Sequence, residues 1–438
     1  MLKNDSKIDI LFVTHRHQVA GGAEKALLDM LQYLKTQDFK MHVVVGSTGS
    51  FVTELKRLNI PFSLIFQPYW AHSQQDPSPF HYTSLNPTVN TTLQLVELIN
   101  NLQPKLCVTN TIVIPWLAYA SSLTSTQHAW MIHELGTAGL DLRYAISESQ
   151  TLKNIDALSD IIFFNSKYTS EYYKPHLSKN LPVEIVYPGG NIPLPKKILP
   201  IYRKKSLKLI AVGQIKPQKG QFDAVRAVKA LLDDNLEAEL VLVGLKEDRV
   251  YTREIERYIK DNKLENHVKF VGLQANPASY VEQADIALIT STNDAFGRVT
   301  VEAMLQEKPV IAAASAGSLE IIDDQKTGLF YTPGNYQDLA KKIKKLSKYP
   351  ELAKSLGLEA KKTAALLYNE ESRYANFVQY VHSLPIKKQA LDLTPLQSAL
   401  VDFRSTIDLL DHSNRRLQSI ESSRIWNILQ KVKSIIKR

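Results

Sequence analysis

Two carboxylates and a glycine lie close together in the stretch Thr290–Glu302, which reads TSTNDAFGRVTVE. Asp294 comes before Gly297 and Glu302 after it, with seven residues between the two acids. The apolar run before this stretch predicts a buried parallel strand, and the apolar spacing after it predicts a helix. A helix N-terminus beside a glycine offers N–H groups to a phosphate, and carboxylates accept hydrogen bonds from sugar hydroxyls. The stretch predicts a nucleotide-sugar site, although an ordinary strand-to-helix turn fits it too.

At these residues the chain resembles the retaining glycosyltransferases of family 4, whose motif is two glutamates separated by seven residues around a Gly-Phe-Gly or Ala-Phe-Gly core. Here Ala295-Phe296-Gly297 forms the core, and Ala303-Met304 follows Glu302 as is common in that family. Asp294 is one carbon shorter than the family's glutamate. The resemblance implies an α/β GT-B fold, in which two Rossmann-like, doubly wound parallel-sheet domains face each other across a cleft.

The composition is that of a soluble globular protein, with 438 residues, 44% of them apolar and 22% charged. Cys107 is the single cysteine, so a disulfide within the chain is excluded and a reducing cytoplasm is expected. The apolar run Ile8–Val13 is too short for a signal peptide and predicts a first strand. No run approaches the roughly 18 apolar residues of a membrane span.

A glycine pair follows the first predicted strand. Gly21 and Gly22 open a segment with apolar residues at helical spacing, and Met41–Val45 predicts the next strand. This order predicts a parallel sheet with ligands at the carboxyl ends of its strands. A G-x-G-x-x-G motif is absent, which argues against a nicotinamide dehydrogenase. The resemblance implies that Gly21 and Gly22 face the donor diphosphate and the acceptor; a plain tight turn is the alternative.

The predicted strand that begins at Ala129 ends in His133 and Glu134, at the edge where parallel sheets place ligands. A structural histidine also fits this position. The resemblance implies that His133 contacts the transferred sugar. Segment 67–90, rich in proline and aromatic residues, predicts an irregular loop that either lies on the acceptor side or is purely structural.

A second phosphate-side pattern follows the predicted strand Leu207–Val212, which ends in a glycine and Gln214. Lys219, in the loop that follows, would supply the cation that neutralises a diphosphate without a metal, or it is an ordinary solvated lysine. The resembling family has an arginine where this chain has Gln214. The resemblance therefore puts the charge of the diphosphate on Lys219, helped by Lys216 or Arg298.

The predicted site joins these segments. Catalytic contacts are expected from His133, Lys219, Asp294 and Glu302. The resemblance implies contacts to the nucleotide sugar from Gly21, Gly22, Gly213, Gln214, Lys219, Gly272, Phe296, Gly297, Arg298 and Glu302. Glu302 would hold the ribose hydroxyls, Asp294 the hydroxyls of the transferred sugar, and N–H groups beside Gly297 the leaving diphosphate. An Asp-x-Asp motif is absent where a metal would be required, so no metal or cofactor is expected besides the donor.

Prolines and basic residues concentrate in IPLPKKILPIYRKK, residues 192–205, and predict a domain boundary. The chain therefore divides into an acceptor-side domain (1–192), a donor-nucleotide domain (193–370), a crossover helix that returns to the first domain (371–384) and a helical extension (385–438).

The extension carries two helical patterns. Residues 396–417 repeat apolar residues in steps of four and three with Asn414 at a core position, which predicts a homodimeric coiled coil or a helix packed on its own body. Residues 424–438 carry five basic residues and no acid, against a net charge of +9 for the chain. Their basic and apolar sides suit an anionic membrane surface, or a body-packed helix with a solvated face. Because the positive charge is concentrated in this one segment, it does not predict nucleic-acid binding.

Together with these patterns, the resemblance implies a metal-independent, retaining glycosyltransferase that moves a sugar from a nucleoside-diphosphate sugar to a glycan or lipid-linked saccharide. The expected setting is cell-envelope polysaccharide synthesis, in the cytoplasm and peripheral on the inner face of the cell membrane. Two alternatives stay open. One is a catalytically silent GT-B subunit that scaffolds an active partner, motivated by Gln214 and Asp294, and the other is a sugar-nucleotide epimerase that needs no acceptor.

Overall fold

The computed structural model describes residues 8–19, 21–73, 85–137, 142–189, 206–274 and 276–384. Three segments singled out by the sequence lie outside these residues: the predicted boundary 192–205, the heptad segment 396–417 and the basic segment 424–438.

The first half of the chain is built on a parallel sheet. Its strands are β1 Ile10–Thr14, β2 Met41–Val45, β3 Phe62–Leu64, β4 Ala71–Ser73, β5 Leu106–Thr109, β6 Gln127–Ile132, β7 Leu142–Tyr144, β8 Ile161–Phe164 and β9 Val183–Ile185. Within the described residues, seven strands pair in parallel in the order β3-β2-β1-β5-β6-β8-β9, while β4 and β7 pair antiparallel as a separate ribbon. Strand β1 is buried throughout, as expected for a parallel strand covered on both faces.

Helices cover this sheet on both faces. They are α1 Gly22–Thr36, α2 Ser50–Arg57, α3 Leu85–Leu102, α4 Trp116–Leu123, α5 Glu148–Ala157 and α6 Lys167–Tyr173. Helix α1 buries an apolar side against the sheet, and Glu24 Oε2 accepts a hydrogen bond at 3.0 Å from the N–H of its cap residue Gly21. The N–H of the cap residue is thus satisfied from within the first turn.

Part of the predicted irregular stretch 67–90 is core. Trp70 is fully buried, its ring stacks on Trp130 at 6.0 Å, and its Nε1 donates to the Ile112 carbonyl at 2.6 Å. Strand β4 follows directly, and α3 begins before the stretch ends. Trp70 therefore stabilises the first domain from inside and is not available to stack on a sugar.

The second half repeats the architecture. Its strands are β10 Leu207–Val212, β11 Ala238–Val243, β12 Val268–Gly272, β13 Ile286–Ile289, β14 Val310–Ala313 and β15 Leu329–Tyr331. Its helices are α7 Gln221–Asp233, α8 Arg249–Asp261, α9 Ala278–Gln283, α10 Arg298–Leu305, α11 Ser318–Ile321, α12 Tyr336–Lys348 and α13 Pro350–Leu367. In the described part of the chain, these strands form a six-stranded parallel sheet in the order β12-β11-β10-β13-β14-β15.

In both sheets, the order in which strands are added reverses beside the first strand. The chain runs outward from β1 to β3 and then resumes at β5 on the other side of β1, and it does the same from β10 to β12 and then β13. In doubly wound sheets, ligands bind in the crevice at such a switch point. The loops after β1, β5, β10 and β13 are therefore where the fold places a site.

A final described helix, α14 Glu370–Ser383, returns to the first sheet. Its N-cap residue is Asn369, whose side chain accepts from the Ser372 N–H at 2.9 Å. Phe377 on this helix is fully buried against Phe12 and Phe163 of the first sheet, with ring centroids 6.4 and 5.1 Å away. In the described residues, no helix has the length and hydropathy that crossing a membrane requires.

Candidate active site

Lys219 comes from the loop on one side of the second sheet's switch point. It ends a short 3-10 turn, and Gly220 after it has φ 62°, a left-handed value that suits glycine at the cap of α7. A Cβ on Gly220 would lie 2.2 Å from the Thr290 carbonyl oxygen. Thr290 Oγ1 in turn donates to the Lys219 carbonyl at 2.7 Å. The loops after β10 and β13 are thus bound to each other.

Asp294 comes from the loop after β13 and pairs with Lys219. The ammonium donates to Asp294 Oδ1, and the two side chains are only 23% and 22% exposed. Burial alone would raise the pKa of Asp294, but the Lys219 charge and hydrogen bonds from Lys219 and Ser291 hold that pKa below its usual value. Asp294 is therefore ionised at neutral pH. A donor diphosphate would compete with this carboxylate for the lysine.

The N-terminus of α10 follows Asp294. Gly297 caps the helix with φ 98°, a conformation that glycine reaches without strain. Phe296 is 3% exposed, and its ring packs on Tyr187 and Tyr368 with centroids 5.4 and 5.5 Å away. The Phe296 side chain therefore belongs to the core, so only its backbone is suited to contact a ligand.

Arg298, the first residue of α10, joins carboxylates from both domains. Its Nε donates to Glu302 Oε1 at 2.9 Å, and its Nη2 lies 2.9 Å from Asp29 Oδ2 on α1. Burial raises the pKa of Asp29 to about 6, although the nearby Arg298 and Arg373 oppose the rise. The carboxylate predicted to hold ribose is thus bound to an arginine that also reaches the first domain.

His133 follows β6 in the first domain. Its Nε2 lies 2.9 Å from Asn110 Oδ1, and its carbonyl accepts from Asn165 Nδ2 at 3.0 Å. Burial lowers the pKa of His133 to about 4, so the ring is neutral at pH 7. With Asn110 Oδ1 as acceptor, the ring proton is assigned to Nε2 and Nδ1 becomes an acceptor. A neutral imidazole suits a sugar hydroxyl and supplies no positive charge.

The neighbouring Glu134 has a structural role. Its carboxylate accepts from Thr111 Oγ1 at 2.9 Å and from the N–H groups of Ile112 and His133 at 3.3 and 3.1 Å. Burial nevertheless raises the pKa of Glu134. These bonds fix the loops after β5 and β6 relative to each other, and they hold the backbone of His133.

Sequence reasoning did not assign a second histidine, which follows β1. His15 Nε2 lies 3.8 Å from Glu24 Oε1, and Glu24 is 1% exposed. Burial lowers the pKa of His15 to about 3, with further lowering from Arg16 and His133, and burial raises the pKa of Glu24. The signal was available in the sequence: His15 follows a buried strand at the switch point, just as His133 follows β6.

Hydrogen bonds connect the His133 side to the loop before α10. Thr169 Oγ1 donates to Asn165 Oδ1 at 2.8 Å and lies 3.3 Å from the Ala295 carbonyl oxygen. Ser166 Oγ donates to the same carbonyl. Because Asn165 also holds the His133 carbonyl, a short series of contacts crosses from one domain to the other.

The remaining predicted residues of the second domain lie along the strand ends. Gly213 lies beside the Lys219 stem, where an added Cβ would be 3.6 Å from Lys219 Cδ. The Gln214 carbonyl accepts from Gln221 Nε2 at 2.8 Å. Gly272 ends the edge strand β12, two strands from β10, whose following loop carries Lys219, and this separation corresponds to roughly 10 Å. The structure therefore does not gather Gly272 with Lys219, and a ligand touching both has to be elongated.

A cavity of about 490 Å³ lies between α1 and α2. Lys25, Leu28 and Asp29 line it from α1, Arg57 lines it from α2, and Arg298 reaches it from the second domain. Its volume falls within the range of small-molecule sites, and its lining mixes charged and apolar side chains.

Two family models match the chain in succession. Residues 20–192 match Glycosyltransferase Family 4, and residues 197–363 match Glycosyl transferases group 1. The chain is 30% identical over 240 residues to an uncharacterised glycosyltransferase of Methanocaldococcus jannaschii, covering 54% of this chain and 63% of that protein. It is 26% identical over 254 residues to the alpha-1,3/1,6-mannosyltransferase ALG2 of Mus musculus, covering 52% of this chain and 59% of ALG2. The matches thus span about three fifths of these relatives.

Among solved structures, HepE of Anabaena in complex with UDP has a TM-score of 0.71 at 22% identity, covering 86% of this chain and all of HepE. HepE has also been crystallised with UDP-glucose. At this identity the likeness establishes the fold, and the GT-B prediction is confirmed. Because each family match takes one of the two sheets, the chain belongs to the glycosyltransferases, with a first domain of Glycosyltransferase Family 4 and a second domain of Glycosyl transferases group 1.

Proposed function

We propose that this glycosyltransferase is retaining and metal-independent, and that it moves a hexosyl unit from a nucleoside-diphosphate sugar to a glycan or lipid-linked saccharide. The observation that carries the proposal is the Lys219–Asp294 pair at the switch point, with Glu302 on the helix that follows. A lysine supplies charge for a diphosphate, and the carboxylates supply acceptors for hydroxyls. The UDP and UDP-glucose complexes of HepE support a nucleotide-sugar donor.

In the proposed reaction, the bond between the anomeric carbon and the donor phosphate oxygen breaks, and the acceptor oxygen bonds to that carbon on the same face. The acceptor proton passes to the leaving phosphate oxygen, so no side chain is needed as general base. Lys219 and the N–H groups at the start of α10 neutralise the charge that develops on the diphosphate. Neutral His133 holds a hydroxyl of the transferred sugar from the first domain, and Asp294 holds another.

Donor binding is tested by thermal shift with UDP, GDP, ADP and their glucose or mannose conjugates. A ligand at 100 times its Kd should stabilise the protein by about 2.7 kcal/mol. The stereochemical course is tested by NMR of the product made from an α-linked donor and a soluble saccharide. A β-linked product would contradict retention, and a protein that none of these nucleotides stabilises would contradict the donor class.

A catalytically silent GT-B subunit is a second candidate. It is favoured by Gln214, which replaces the family's arginine, and by Asp294, which already neutralises Lys219. The two proposals differ in turnover, because an enzyme releases nucleoside diphosphate from its donor when an acceptor is present. A sugar-nucleotide epimerase would instead convert the donor alone to its epimer.

The setting we propose is cell-envelope polysaccharide synthesis on the cytoplasmic face of the cell membrane. The support is the sequence pattern of the extension, in which 424–438 suits an anionic surface and 396–417 suits a homodimer. Both segments lie outside the described residues.

A further inference from the structure

We propose that Asp29 and Arg298 are positioning residues, which hold the Glu302 carboxylate in place for the donor ribose and tie this contact to the approach of the first domain. The inference rests on the proposed nucleotide-sugar donor. It adds a residue from the first domain, Asp29, to a contact that is otherwise made within the second.

The geometry gives each group a separate task. A guanidinium is planar and rigid, and here its Nε donates a hydrogen bond to Glu302 Oε1. Its Nη2 lies 2.9 Å from Asp29 Oδ2 in an ion pair, without a hydrogen bond to that oxygen. The contacts described for Glu302 use only Oε1, so Oε2 is available for a ribose hydroxyl. Arg298 Nη1 is buried and has no hydrogen-bond partner among the described residues, which leaves a donor for an incoming oxygen. An unpaired buried donor is unfavourable until a ligand reaches it.

Stability is a poor explanation for this group of charges. The Arg298, Asp29 and Glu302 side chains are only 17%, 17% and 24% exposed, so all three have lost most of their water. Desolvation offsets most of the attraction in a buried ion pair, while the direction of the contact is kept. Two carboxylates also share one guanidinium. The arrangement therefore fixes an orientation and adds little to the free energy of folding.

The two domains also meet without this group. Glu320 accepts from the N–H groups of Lys167 and Tyr168 at 3.1 and 3.2 Å, and from the Tyr187 hydroxyl at 2.6 Å. These contacts lie away from Asp29 and Arg298 in the chain and use different elements. Variants at Asp29 or Arg298 should therefore keep the domain interface and allow donor binding to be measured.

The test compares two dissociation constants measured by calorimetry, one for UDP and one for 2′,3′-dideoxyuridine diphosphate, which lacks both ribose hydroxyls. Corresponding pairs of GDP and ADP serve if UDP does not bind. The wild-type chain should prefer UDP by about tenfold or more. The ratio of the Kd for the dideoxy analogue to the Kd for UDP should approach one in Arg298→Met and fall severalfold in Asp29→Asn. It should stay unchanged in the control Arg257→Met, whose side chain is 84% exposed.

A ratio that is unchanged in both Arg298→Met and Asp29→Asn overturns the inference. A ratio that rises also overturns it, because Arg298 would then compete with ribose for Glu302. If Arg298→Met does not fold, Arg298→Lys keeps the charge without the fork and should give an intermediate ratio. Failure of all three nucleoside diphosphates to bind the wild-type chain would contradict the proposed donor itself, so the two failures are distinguishable.

Discussion

Lys219 and Asp294 neutralise each other across the switch point of the second sheet, each from a loop that follows a strand beside it. The lysine is the cation expected at the diphosphate, and the aspartate is the carboxylate expected at the transferred sugar. Because they are paired, a donor that binds Lys219 also changes the surroundings of Asp294. In the proposed reaction, the pair would couple the two ends of the bond that breaks.

Removing each partner should separate their roles. Lys219→Met should weaken UDP binding by about 100-fold or more, because the diphosphate loses a charged partner and meets an unpaired carboxylate. Asp294→Asn should keep or improve UDP affinity, since the lysine is released, while transfer falls by a similar factor. Calorimetry and a transfer assay measure the two effects. The matched control is Lys229→Met, which breaks an i,i+4 pair on α7; equal loss of UDP affinity in both site variants would contradict this division.

His133 should act as a neutral hydrogen-bonding group. His133→Gln should lower kcat by about 10- to 100-fold, because a hydrogen bond to the sugar is lost or misplaced. The pKa of His133 is lowered to about 4 by burial, so the ring takes up a proton only in acid. The pH profile between 5.5 and 8 should therefore have the same shape in both proteins. The exposed His176 provides the control, His176→Gln; a limb near pH 6.5 that disappears only in His133→Gln would show a charged role instead.

The local parts of the site were predictable from the sequence, because each is a buried strand followed by polar or glycine residues. The same pattern predicted the α/β fold and the strands that precede Lys219, His133 and Asp294. The rule that ligands gather at strand ends needs only strand order. His15 obeys the same rule, but the glycine pair that follows it is the more conspicuous pattern after β1.

Contacts between distant segments were not predictable. Asp29 is one of two acids on α1, and its spacing gives no sign that Arg298 faces it. That contact depends on how two domains pack, which one sequence does not reveal. Trp70 shows the opposite error: its proline-rich surroundings predict a loop, but the ring is buried on Trp130. An aromatic residue in such a stretch fits a core and a binding surface equally well.

Asp29 should make stability depend on pH in a defined direction. Burial raises its pKa from 3.8 to about 6 against Arg298 and Arg373, with Glu302 adding to the rise. As pH rises from 4 to 6 the unfolded chain releases this proton first, so wild-type stability falls, by on the order of 3 kcal/mol. Asparagine has no proton to release. Asp29→Asn should therefore gain stability relative to wild type over this window and no more above pH 7.

Urea unfolding at half-unit steps from pH 4 to 7.5 measures this difference. Asp233→Asn, at a carboxylate 60% exposed, is the control for removing a carboxylate from a solvated position, and its stability should differ from wild type by less than that of Asp29→Asn. A flat difference for Asp29→Asn, or one that declines as pH rises, would mean that Asp29 is not held in a buried setting by the approach of the two domains.

The basic segment 424–438 should account for attachment to anionic surfaces. Each of its five basic residues near such a surface should contribute about 1 kcal/mol, so deleting the segment should release the protein from vesicles of phosphatidylglycerol and phosphatidylcholine. Turnover of a soluble saccharide should be kept, because the deletion lies far along the chain from the site. Helix α12 also carries several lysines, and Lys341, Lys342 and Lys345 changed to Gln provide the matched control. Vesicle binding that survives the deletion but is lost in this control would place the membrane contact on the second domain.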